Sequence, residues 1–270
     1  DKFIKIPHSS ITSVTGGSNT GKTIFLTNLL LNLATIYTDH YFIFYSPGER
    51  KSDIEVSMIN SSGIEKFIPE KLDENKILKN RGINNNIDIW NYLLKEYPED
   101  LLLKKSKESQ FFAGLNTYLN LSGRIKIIDK YSDLKTILRS IDHFDQSHFK
   151  IGAVFIDSAN LLSSKDLYSV PYEFYREEII KHLRADIRNR PFPLIISYDT
   201  SSDRTKEFIF ENSSLGLDIK GPGKTREGGK SKKSETTKAS EKFILKIIKG
   251  KENTGSEINF KFDRQLQKLI

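Results

Sequence analysis

Short apolar runs alternate along the chain with stretches whose apolar residues recur at helical spacing. "SITSVTG" (10–16) predicts a buried strand ending at Gly16, and residues 22–37 a long apolar helix. Further strands are expected at "YFIFYS" (41–46), "RIKIID" (124–129), "GAVFID" (152–157) and "PLIISYD" (193–199). Amphipathic helical patterns, "DLKTILRSIDHF" and "YEFYREEIIKHLRADIRN", follow the third and precede the fifth of these runs. Strands that alternate with helices predict an α/β fold with a mostly parallel sheet covered on both faces. Near the C-terminus the rhythm changes. "EFIFE", "KFILKIIKG" and "EINFKFD" read as consecutive strands, an antiparallel extension at one sheet edge.

Two regions interrupt this order. Residues 51–122 are polar, rich in Asn and Lys, and read as a helical elaboration with pieces such as "DIWNYLLKEY". Residues 221–240 carry six Lys or Arg against two Glu and no large apolar side chain, so they are expected to form a mobile basic loop. No internal repeat is visible, and the 270 residues are read as a single domain.

Composition narrows the function classes. Hydrophobic residues are 37% and charged residues 29%, in the globular range, and no apolar run reaches the length of a membrane span. With no Cys, disulfides and thiolate metal sites are excluded. The five His residues (8, 40, 143, 148 and 182) stand far apart, without metal-ligand spacing, and read as structural or surface residues. A net charge of +7 favours a polyanionic partner, although Lys- and Asn-rich chains reach such a charge without one. Asp1 begins neither with Met nor with a secretory signal, which fits a segment of a longer cytoplasmic protein of bacterial, viral or plasmid origin.

The chemistry starts at "VTGGSNTGKTIF". Gly16, Gly21, Lys22 and Thr23 satisfy G-x-x-x-x-G-K-[ST], between an apolar strand and a helix start. In such a loop (Gly16, Gly17, Ser18, Asn19, Thr20, Gly21, Lys22, Thr23) the backbone N–H groups curl around phosphates and the helix N-terminus adds positive potential. Lys22 is expected at the β- and γ-phosphates of ATP, and Thr23 on Mg²⁺. Asp157, at the end of "AVFID", is the expected partner of that metal. Ser158 follows it, not Glu, so the group that activates water must come from elsewhere. Glu49, after the second strand, is the candidate, against the alternative of an ordinary exposed loop residue.

With these residues in hand, the chain resembles the RecA superfamily and, within it, the motor domain of DnaB-type replicative hexameric helicases. "YSPGER" is similar to that family's strand ending in Ser-x-Glu, with one extra residue before Glu49. "VFIDSANLL" is similar to its apolar-Asp-Tyr-Leu segment, and "KIIKGKENTG" to its Lys-x-Arg-Asn-Gly-x-Thr-Gly turn. The resemblance implies a RecA-like twisted sheet with C-terminal antiparallel strands. It also implies a hexameric ring in which Lys249 and Lys251 reach the γ-phosphate held by a neighbour. Single-stranded DNA would meet Lys165, Arg204, Lys206, Lys224, Arg226, Lys230, Lys232 and Lys233 in the loops after the fourth and fifth strands, where Tyr168 offers a stacking ring. Primase would be contacted through a region preceding Asp1. Two departures stand out: Lys251 replaces Arg, and Tyr198 stands where the family presents Gln. They leave room for a recombinase or regulatory ATPase of the same fold, and a small-molecule kinase is the remaining alternative.

Overall fold

The computed structural model describes residues 5–62, 117–147, 149–200, 202–220, 241–250, 255–263 and 268–269. Nine strands form one sheet in the order β3-β2-β4-β5-β1-β6-β7-β8-β9. The first six, β1 (Ile11–Gly16), β2 (Tyr41–Tyr45), β3 (Ile125–Ile128), β4 (Ile151–Ile156), β5 (Leu194–Asp199) and β6 (Leu215–Lys220), run parallel. The last three, β7 (Glu241–Lys249), β8 (Glu257–Asp263) and β9 (Lys268–Leu269), add to that sheet as antiparallel strands. The expected mixed α/β architecture is therefore observed.

Alternation of side chains across the strands splits the core into two layers. Phe42, Phe44 and Phe155 face α1 (Lys22–Ile36) and α2 (Lys51–Ser62). Ile43, Val154, Ile156 and Ile196 face α3 (Leu134–Gln146) and α4 (Tyr172–Ile187). The near-continuous apolar reading of β2, β4 and β5 follows from this, because both of their faces are covered. Each fully buried aromatic here contributes roughly 2–3 kcal/mol of transfer free energy. Asp133 caps α3 by accepting from the Thr136 N–H at 3.0 Å.

One element differs from its expectation. "EFIFE" is not a strand; it lies within α5 (Asp203–Glu211). Ser202 caps that helix, with its side chain accepting from the Thr205 N–H, and Ile209 and Phe210 are buried while Glu207 and Glu211 face solvent. The strand that follows is β6, "LGLDIK", and it is parallel rather than part of the antiparallel extension. Arg204 and Lys206 consequently sit on a helix, not in a loop. Of the elaboration expected over 51–122, α2 and a helical turn at 117–122 are described. "DIWNYLLKEY" and the basic segment 221–240 lie outside the described residues.

Candidate active site

Parallel strands deliver their C-terminal ends to one edge, and four of them bring the candidate residues together there. β1 ends at Gly16, β2 leads through Ser46 to Glu49, β4 leads to Asp157, and β5 ends at Asp199. The loop after β1 bends through two left-handed residues, Asn19 (φ 60°) and Gly21 (φ 81°). Asn tolerates that conformation and Gly adopts it freely. At Gly16 a Cβ would lie 2.7 Å from the Ile219 carbonyl, so a side chain there would push the loop off β6. Gly21 is the cap of α1, where no side chain caps the first turn and no acidic residue occupies it. The first N–H groups and the positive end of the helix are thus left for an anion.

Lys22 is folded into this loop and is only 6% exposed. Its ammonium donates to the Gly17 carbonyl at 2.7 Å and the Gly16 carbonyl at 3.3 Å, and pairs with the Asp199 carboxylate. Asp157 is buried just past the end of β4, the strand beside β5, with the Ser197 hydroxyl donating to it. Burial pushes its carboxyl above the usual range, against the opposing pull of hydrogen bonds from Ser197 and Thr23 and of the Lys22 charge. Glu49 is exposed as a residue, but its carboxyl stands close to the loop. Partial desolvation, then the charges of Asp157 and Asp53, push it upward too, while a hydrogen bond with Thr23 acts the other way. The Thr23 hydroxyl therefore stands near enough to both carboxylates to lower their proton affinity.

This arrangement fits a phosphate-bound magnesium. Two carboxylates and a hydroxyl converge, and the buried Asp157 gains from any cation placed beside it. Magnesium takes few protein ligands when phosphates and waters supply the rest. Among the described residues, no three acidic or imidazole groups form an all-protein cage.

Beside the loop lies a cleft of about 390 Å³, lined by Gly17, Arg176, Tyr198, Asp199, Thr205 and Phe208. Arg176 and Asp199 were not expected from the sequence. The available signal for Asp199 was its position at the end of the fifth apolar run, on the same edge as Gly16 and Asp157. Tyr198 is buried in the layer that packs α4 and α5, on the other face of the sheet from α1.

Of the two expected cationic fingertips, Lys249 lies away from the loop of its own chain. Lys249 is registered against Gly216 at the start of β6, the edge opposite the phosphate loop. Its ammonium donates to the Phe210 and Glu211 carbonyls, at 2.8 and 3.1 Å, where α5 ends. Lys251 lies outside the described residues, as do Lys224, Arg226, Lys230, Lys232 and Lys233. Lys165 is exposed on a 3₁₀ turn after β4, with the exposed Tyr168 beside it. Arg204 is exposed on α5, and Lys206 pairs with the buried Asp218 at 3.0 Å. Lys165, Arg204 and Lys206 share the strand-end edge with the phosphate loop, since both segments follow strand C-termini. No described helix is long and apolar enough to cross a membrane.

No family model and no curated protein sequence matches the chain. Solved structures do match its fold. One solved ATPase domain is similar with a TM-score of 0.64 and 13% identity, over 97% of this chain and 84% of that one. A DnaB-like replicative helicase, studied for its interactions with primase, is similar with a TM-score of 0.66 and 14% identity. That match covers 97% of this chain and 57% of the helicase. The fold is thus the one found in the ATPase domains of DnaB-like helicases.

Proposed function

We propose that the chain is the motor domain of a magnesium-dependent ATPase of the hexameric-helicase type, acting on single-stranded DNA during replication. The convergence of Lys22, Thr23, Glu49 and Asp157 at one sheet edge carries this reading. The loop from Gly16 to Thr23 would hold the phosphates, with Lys22 neutralising their charge. Thr23 and Asp157 would hold magnesium, which when bound neutralises phosphate charge and polarises the phosphoryl group. Glu49 has a raised proton affinity, and the charged groups that act on it among the described residues are the acids Asp157 and Asp53, which suits it to take a proton from an attacking water.

Lys249 lies too far across the sheet to serve its own loop. Its position supports a head-to-tail ring, in which Lys249 and Lys251 of one copy approach the phosphates held by the next. Lys165, Arg204 and Lys206, together with the basic segment 221–240, would meet the DNA backbone without reading its sequence. Contact with primase through a region preceding Asp1, and a cytoplasmic setting, complete the proposal. A second reading, an ATPase of the same fold without unwinding activity, is favoured by Tyr198. Its ring is packed among α4 and α5 in the place where the resemblance leads one to expect a Gln that answers to the γ-phosphate.

Hydrolysis of ATP with and without single-stranded DNA tests the proposal. DNA should stimulate turnover, and its binding should weaken with salt by a log–log slope of about 0.7 per phosphate neutralised. Glu49→Gln should keep nucleotide binding and slow hydrolysis by about 100-fold or more. Absence of stimulation under every assembly condition removes the motor. Stimulation without strand displacement selects the second reading.

A further inference from the structure

Lys22 is the group on which a phosphate loop depends, and here its ammonium is already matched by a carboxylate. Asp199 reaches it from the end of β5, and the Gly16 and Gly17 carbonyls take its other protons. The Asp199 backbone is pinned on both sides. Its N–H donates to Asn160 Oδ1 at 3.1 Å, and the next N–H, of Thr200, donates to the Gly16 carbonyl at 3.0 Å. The strand end cannot retreat without breaking both bonds, so only the Asp199 side chain is free to turn. It has somewhere to go. Asp199 also lines the cleft of about 390 Å³ beside the loop, together with Arg176, Thr200, Ser202 and Thr205. With 38% of its side chain exposed, Asp199 leaves the ion pair at a modest cost.

We propose that Asp199 is an internal competitor of the triphosphate, holding the Lys22 ammonium until phosphate oxygens take it and the carboxylate turns into the neighbouring cleft. The inference rests on the reading of the loop as a triphosphate cradle. Two effects follow from simple electrostatics. Any phosphate must first replace the Asp199 contact, which lowers affinity for every nucleotide. A γ-phosphate adds charge beside the displaced carboxylate, so the triphosphate is penalised more than the diphosphate. The residue therefore sets affinity and the discrimination between ATP and ADP, without taking part in the chemistry.

Titration of the chain with fluorescent methylanthraniloyl-ATP and methylanthraniloyl-ADP in Mg²⁺ tests this. Asp199→Asn and Asp199→Ala should each tighten the triphosphate by about fivefold and the diphosphate by less. Asp203→Asn, an exposed carboxylate on the first turn of α5, should change neither. A thermal melt identifies whichever Asp199 variant remains folded, and either one suffices. Unchanged affinity in a folded variant overturns the competitor. Weakened affinity overturns it too, and makes Asp199 part of the nucleotide's own binding contacts. If the unaltered chain binds neither nucleotide, the cradle reading falls and takes this inference with it. If it binds both and the variants do not tighten, only the inference falls.

Discussion

Two buried cations among the described residues hold carboxylates, and they do so on opposite terms. Arg190, 8% exposed, donates to both oxygens of Asp186 at 2.6 and 2.8 Å and to Asp142 at 2.8 Å. Its acids stand on the helical surface, where water reaches them, and the bidentate geometry holds its proton more firmly than usual. Lys22, 6% exposed, has one carboxylate and three neutral oxygen acceptors, the Gly16 and Gly17 carbonyls and the Thr20 hydroxyl. Around it Asp157 and Glu49 are both pushed above the usual carboxylate range. The first cluster is complete within the chain. The second has more negative charge than its single ammonium satisfies, and it gains from an added divalent ion and from a ligand that claims Lys22. A buried ion pair alone does not mark a site. Carboxylates with raised proton affinity, gathered at a strand-end edge, make a candidate for one.

Substituting the two cations separates the roles, and this is the largest contrast expected. Lys22→Ala should abolish measurable ATP hydrolysis while costing less than about 1 kcal/mol of stability, because Asp199 is free to turn toward water. Arg190→Ala should do the reverse. Removing one partner of a buried network costs about 3–5 kcal/mol, and the exposure of Asp142 reduces this to about 2 kcal/mol here. Hydrolysis per folded molecule should be unchanged. Denaturant unfolding together with a phosphate-release assay measures both quantities. If Lys22→Ala destabilises as much as Arg190→Ala, the contrast between the clusters disappears.

A smaller effect sharpens the same point through pH. Asp157 has a raised carboxyl pKa in the folded chain, so the native state binds a proton more readily than the unfolded state. Its contribution to stability is therefore most favourable in acid, and it declines as pH rises from the ordinary carboxylate range through the raised value. Asp157→Asn removes this penalty, and its carboxamide oxygen still accepts from the Ser197 hydroxyl. The variant should be more stable than the parent at neutral pH, with the difference vanishing toward about pH 3–4, while hydrolysis is lost. Paired melts across that range measure it. A variant less stable than the parent at neutral pH would show that Asp157 is well satisfied without a cation.

How much of this was legible in the sequence depended on range. β1, β2, β4 and β5 were read from local apolar runs, and the loop from Gly16 to Thr23 from its spacing, because short-range sterics and patterning determine them. "EFIFE" misled for a local reason. Three apolar residues between two Glu satisfy a short strand pattern, and the decision came from the cap at Ser202, outside the run, and from the tertiary packing of Ile209 and Phe210 within it. The pairing of Lys22 with Asp199 joins the start of α1 to the end of β5, adjacent only because β5 is the neighbour of β1. Strand order is a property of the whole fold, and no local pattern encodes it. Lys249 was legible as a cation at a strand tip. Its contact with the end of α5, 38 and 39 residues away, was not.

That contact gives the smallest and most discriminating effect. The Lys249 ammonium supplies positive charge and donors to the last carbonyls of α5, a cap of about 0.5–1 kcal/mol. If this is its whole function, Lys249→Ala should lower stability by that amount and leave hydrolysis untouched at every protein concentration. If it also serves a neighbouring copy, the same substitution should lower turnover only where copies assemble, and mixing Lys249→Ala with Glu49→Gln chains should restore it in part. The restoration has a simple origin: at some seams of a mixed ring an intact Glu49 from one chain meets an intact Lys249 from the other. Hydrolysis across a dilution series of each variant, and of their equimolar mixture, measures this. Activity in the mixture no greater than the sum of the two variants alone would confine Lys249 to the end of α5, and the second cluster would then owe nothing to an adjoining chain's Lys249.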